Sequence, residues 1–90
     1  MSTDDFLSLA RRKVADYFNS HRDLSKENGS VELCEKDIYI VWFCKTLQNH
    51  KALLATPVPD GMYYEITYNG DKNELYFDVY KKWENQKFVE

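Results

Sequence analysis

The chain has 90 residues, 43% of them hydrophobic and 16% aromatic, with 15 acidic against 12 basic side chains and a formal net charge of -3. That length supports one modest core and no second one, and the apolar share excludes disorder by composition. The acidic balance argues against a domain built to coat a phosphate backbone.

No apolar run approaches the roughly 18 residues of a membrane span. Met1 to Asp5 lacks the basic-then-apolar pattern of a secretory signal, so a cytoplasmic protein is expected. Cys34 and Cys44 are the two cysteines, and in a reducing compartment both are expected as free thiols. Their spacing matches no zinc pattern, and His21 and His50 lack paired spacing. No metal site and no cofactor is therefore expected.

Residues 3 to about 20 read as an amphipathic helix. Phe6, Leu7, Ala10, Val14, Tyr17 and Phe18 recur at helical spacing on one face, while Arg11, Arg12, Asp16 and Asn19 fall on the solvated side. Ser2 or Thr3 caps the first turn, and Asp4 and Asp5 sit where the helix dipole favours acidic groups. Residues 20–32 are polar and read as a connecting loop.

Residues 37–47 are rich in β-branched and aromatic side chains: Ile38, Tyr39, Ile40, Val41, Trp42 and Phe43. Both parities are apolar, which predicts a central strand covered on both faces. A short strand follows at 51–56, then a rigid connector at Pro57 and Pro59. The stretch from Gly61 to Tyr80 alternates apolar and polar residues on both sides of Asn69-Gly70 and reads as one β-hairpin, with strands at 62–69 and 73–82. Residues 83–90 form a polar tail, a short helix or a docked segment, with Trp83 and Phe88 as anchors.

The hairpin register follows from its parity. Met62, Tyr64 and Ile66 share a face with Leu75, Phe77 and Val79, so even positions pair with odd ones and the loop has two or four residues. A two-residue loop sets Glu65 against Glu74, a like-charge pair. A loop centred on Gly70-Asp71, or one spanning 69–72, sets Glu65 against Tyr76 and Tyr63 against Asp78, and this register is preferred. The fold expected is α+β: an N-terminal helix packed on a four-stranded antiparallel meander sheet. The core should comprise Phe6, Ala10, Val14, Phe18, Ile40, Trp42, Leu53, Tyr64, Ile66, Leu75, Phe77 and Val79.

No catalytic residues are assigned. The carboxylates are scattered over solvent-facing positions, and no nucleophile stands beside a histidine. Cys44 with His50 is the one conceivable nucleophile and base, and Cys44 reads as a buried, inert thiol in mid-strand. The candidate partner-binding set is Tyr63, Glu65, Tyr76, Asp78 and Tyr80, which share one hairpin face with Thr67. Tyrosine suits interfaces because it joins large area to a polar tip. The alternative is that these tyrosines are simply good strand formers beneath the helix; the choice depends on which sheet face the helix covers. Nucleic-acid binding would rest on Arg11, Arg12 and Lys13 with Lys81 and Lys82, but the aromatic positions are interleaved with Glu65, Glu74 and Asp78, the wrong sign for a phosphate track.

Several segments resemble a family of small proteins of unassigned function encoded by phages and prophages of Gram-positive bacteria. These are Cys44 to Asn49, Lys51 to Leu54, Pro59 to Glu65, Tyr68 to Lys72 and Tyr80 to Asn85. The resemblance carries no catalytic or binding residues. It implies a phage gene product acting inside the host cell, a non-enzymatic protein that binds and inhibits a host macromolecule such as a defence or nucleic-acid-processing protein. An acidic-aromatic face suits a partner with a basic groove. The alternative is a phage nucleic-acid-binding accessory protein. A homodimer is also expected, through the apolar edge of the 51–56 strand with Trp83 and Phe88, because a small chain gains stability by burying shared surface.

Overall fold

A computed structural model describes residues 1–21 and 31–89. The polar loop expected over 20–32 lies largely outside the described residues. Helix α1 spans Thr3–His21, and four strands follow: β1 Tyr39–Thr46, β2 Asn49–Ala55, β3 Met62–Asn69 and β4 Glu74–Lys81. They form one antiparallel sheet in the order β1-β2-β3-β4, the expected meander.

Ser2 starts the helix. Its Oγ accepts from the Asp5 amide at 3.1 Å, satisfying one of the amides that a first turn leaves unpaired. Phe6, Ala10, Val14, Ala15 and Phe18 are buried along one stripe. That stripe lies on the sheet face made by Ala52 and Leu54 of β2 and Tyr64 and Ile66 of β3, with Phe77 and Val79 of β4 packed around it. Aromatic contacts join the two layers: Phe6 stacks on His50 at 4.9 Å, and Tyr17 meets Phe77 at 5.4 Å and Tyr64 at 5.9 Å.

Asn19 is not on the solvated side. Its side-chain amide donates to the Leu33 carbonyl at 2.8 Å and accepts the Leu33 amide at 2.9 Å, tying the segment before the sheet to the helix. A 3₁₀ turn at Glu35–Asp37 then leads into β1, so that strand begins two residues later than the sequence suggests. The Asp37 carboxyl accepts from the Cys34 amide at 2.9 Å and its thiol at 3.3 Å, and these bonds hold it below the usual carboxylate range.

Strand β1 departs most from expectation. It is an edge strand, and the interior strands are β2 and β3. The apolar residues at both parities have another cause. Pairing runs Ile40 to Leu54 and then Trp42 to Leu53, leaving Val41 as the extra residue of a bulge. The bulge reverses the alternation, so Ile40 and Phe43 pack toward the helix while Trp42 and Cys44 turn away from it. Trp42 and its partner Leu53 therefore sit on the face opposite the helix and are not core. Cys44 is exposed rather than buried. The core takes His50, Ala52 and Leu54 in their place.

The hairpin register also differs from the preferred one. Asn69 pairs with Glu74 around a four-residue loop, so Glu65 faces Asp78, Tyr63 faces Tyr80 and Thr67 faces Tyr76. Turn chemistry outweighs charge here. The Asn69 side chain accepts the amides of Asp71 at 3.1 Å and Lys72 at 3.3 Å, and Asn73 takes the left-handed conformation at φ 52 that asparagine tolerates. A loop over 69–72 loses both arrangements.

Candidate functional site

The helix covers one face of the sheet and leaves the other open. By strand alternation, Tyr63, Glu65 and Thr67 of β3 and Tyr76, Asp78 and Tyr80 of β4 point away from the helix. The five candidates Tyr63, Glu65, Tyr76, Asp78 and Tyr80 therefore share one uncovered surface. Tyr76 is 49% and Tyr80 51% exposed; Tyr63 and Glu65 are half-buried by their neighbours.

Two cross-strand rows extend this surface over all four strands. One runs Trp42, Leu53, Glu65, Asp78; the next runs Cys44, Lys51, Thr67, Tyr76. Trp42, 41% exposed, is the largest side chain on the face. A shallow groove of about 400 Å³ is lined by Trp42, Leu53, Tyr63, Glu65, Tyr80 and Lys82, with Lys81 at the end of β4 beside it. The Lys82 ammonium stands 5.8 Å from the centre of the Tyr63 ring, a cation–π geometry.

The charges are uneven. Lys51 Nζ lies 3.4 Å from Glu65, leaving Asp78 and Glu74 without a basic neighbour across the strands. The Tyr76 hydroxyl donates to Glu74, and that bond to a carboxylate raises its pKa above the ordinary phenol value. Lys81 pairs with Met62, so its side chain lies on the opposite parity. Trp42 and Leu53 belong to the site and were not legible as such, because apolar residues at both parities of β1 read equally as a doubly covered strand, and Leu53 is outside because Ala52 and Leu54 take the core side of β2.

The sheet separates the groups of the other readings. Cys44 is on the open face, whereas His50 lies under the helix with its ring on Phe6. Arg11, Arg12 and Lys13 are on the helix layer, and Lys82 lines the groove on the opposite side. Among the described residues, no three His, Cys, Asp or Glu side chains are grouped as metal ligands require. No helix among them is long and apolar enough to cross a membrane.

One helix against an antiparallel meander, with a bare aromatic-acidic face, defines a two-layer α+β domain. Residues 7–90 match a family of unknown function, DUF6275, and the chain belongs to that family. No curated protein and no solved structure matches it.

Proposed function

We propose that this chain is a non-enzymatic binding protein of phage origin that seats a host protein on its open sheet face and thereby blocks it. The observation supporting this reading is the bare face itself. The open face of an antiparallel sheet is ordinarily polar, yet here it leaves Trp42, Tyr76 and Tyr80 partly in water, as at interaction surfaces. Leu53, Tyr63 and Trp42 supply the apolar centre expected of a binding patch, and the tyrosine hydroxyls and carboxylates supply a polar rim. Glu65, Glu74 and Asp78 against Lys51 and Lys82 leave the face net acidic, which favours a partner that presents Lys and Arg, such as the groove of a nucleic-acid-processing or defence protein. Binding there would compete with that protein's own acidic substrate, and the site of action would be the host cytoplasm.

The test is affinity capture from host lysate with the wild-type chain and with Tyr63→Ala, Tyr76→Ala, Tyr80→Ala combined, both checked for fold by circular dichroism. Specific partners retained by the wild type and lost by the variant support the reading. Identical partners on both baits overturn the face assignment. The nucleic-acid alternative has weaker support, since its two basic groups lie on opposite sides of the sheet. A gel shift at low salt that weakens on charge reversal at Arg11 and Arg12 would bring it forward.

A further inference from the structure

Two exposed apolar surfaces lie on this chain without touching each other. One is the open sheet face. The other is the segment after β4, where Trp83 is 95%, Phe88 77% and Val89 88% exposed. That segment pairs with no strand, and its one described side-chain hydrogen bond is internal, from Gln86 Nε2 to Glu84 at 2.6 Å. Large aromatics grouped in water in this way mark a contact surface.

The direction of exit decides what they contact. Met62 pairs with Lys81, and the Lys82 amide donates to the Gly61 carbonyl at 2.7 Å. The chain is thus held in line with β4 to the end of the sheet, and Trp83 is the first residue beyond it. The tail does not fold back over its own face, since Trp83, Phe88 and Val89 all stand in water. Continuing outward carries Trp83 and Phe88 to another molecule. Between Trp83 and Val89 the tail carries Lys87 beside Glu84, and Lys87 is the cation that can meet a face carrying Glu65, Glu74 and Asp78 against Lys51 and Lys82.

We infer that the Trp83–Val89 segment of one copy lies across the open sheet face of a second copy, with the exchange reciprocated in a two-fold dimer. Its aromatic side chains fill the groove between Trp42, Leu53, Tyr63 and Tyr80, and its lysine approaches the Glu65–Asp78 pair. A buried aromatic side chain removes roughly 150–250 Å² from water. Two tails, each bringing Trp83 and Phe88, together with the surface they cover, reach the roughly 1,200–2,000 Å² of a specific interface. Reciprocal exchange closes on itself, so assembly stops at two copies. The inference rests on the open face being a binding surface and names its resting occupant, which a host partner would displace. The contact differs from the edge pairing that the sequence suggests, because β2 lies inside the sheet and has no free edge.

The experiment is light scattering on the full chain at micromolar concentration, beside a Trp83→Ser, Phe88→Ser variant and a Trp42→Lys variant. All three sites are exposed, and circular dichroism checks that each protein folds. The wild type should give twice the 10.7 kDa chain mass, and each variant should give the monomer. An equal mixture of the two variants should regain a weaker dimer whose share grows with concentration, because one intact tail then meets one intact face, half of the reciprocal contact. A monomeric wild type overturns the inference whatever the capture experiment returns, as does a dimer that survives the tail substitutions. A dimeric wild type that captures no host partner, or the same partners as the tyrosine variant, would instead overturn the functional reading alone.

Discussion

Glu65 and Asp78 stand directly opposite each other on adjacent strands at the centre of the open face, with Lys51 3.4 Å from Glu65 on its other side. Lys51 pairs with Glu65 and not with Asp78, so the facing carboxylates are a net cost to the isolated chain. Asp78→Asn should therefore raise the unfolding free energy by about 0.2–1 kcal/mol, and the gain should shrink as salt screens the repulsion. In a Glu65→Gln background the same substitution should gain nothing. Urea unfolding at fixed protein concentration reads both effects; an equal gain in both backgrounds would show that the carboxylates do not interact.

The class of fold was legible because two periodicities were strong: the helical stripe from Phe6 to Phe18, and the alternation from Met62 to Val79. The candidate tyrosines were legible as a set for the same reason, since parity alone places them on one side. The side that faces the helix was not, because both faces of the sheet carry large apolar groups. The β1 bulge was hidden because Val41 resembles any strand residue, and its insertion moved Trp42 from the expected core to the open face. The hairpin register turned on Asn69 and Asn73, whose turn chemistry outweighs the Glu65–Asp78 repulsion.

His50 is 1% exposed, and neither ring nitrogen has a hydrogen-bond partner among the described residues; the ring lies on Phe6 with Phe43 and Tyr68 beside it. An unpaired buried polar group costs roughly 1–3 kcal/mol. His50→Leu keeps most of the volume and removes the nitrogens, so it should stabilise the chain by about 1 kcal/mol. His50→Ala should destabilise it by opening a cavity under the helix. Thermal unfolding distinguishes the two, and a His50→Leu protein that melts below the wild type would contradict the unpaired ring.

Tyr64 sits under the helix, and burial, with Asp60 and Tyr17 adding in the same direction, pushes its phenol up to about 12. An unfolded tyrosine ionises near about 10. The folded value is the higher one, so this contribution to stability is whole below about pH 10 and is lost as pH rises through about 12. Tyr64→Phe should remove that loss and leave a shallower decline of stability in alkali. Phenolate absorbance followed during titration should show one tyrosine ionising only as the fold opens; the same alkaline unfolding curve in the variant would assign the loss to other groups.

Gly70 is required by a contact between the two hairpin turns rather than by its own backbone angle. A Cβ at Gly70 would overlap the Gln48 carbonyl oxygen and side chain, at the turn joining β1 and β2. The same junction is tied by the Gly70 amide donating to Asn49 Oδ1 at 2.9 Å and by the Gln48 amide donating to Asp71. Backbone cannot yield as a flexible side chain does, so Gly70→Ala forces the turns apart and should cost about 1–3 kcal/mol. Lys72→Ala, in the same loop but exposed, should fall within about 0.5 kcal/mol of the wild type. Urea midpoints of the two variants provide the comparison. If Gly70→Ala unfolds with Lys72→Ala, the two turns are not packed against each other, and Asn69-Gly70 acts only as the local hairpin signal.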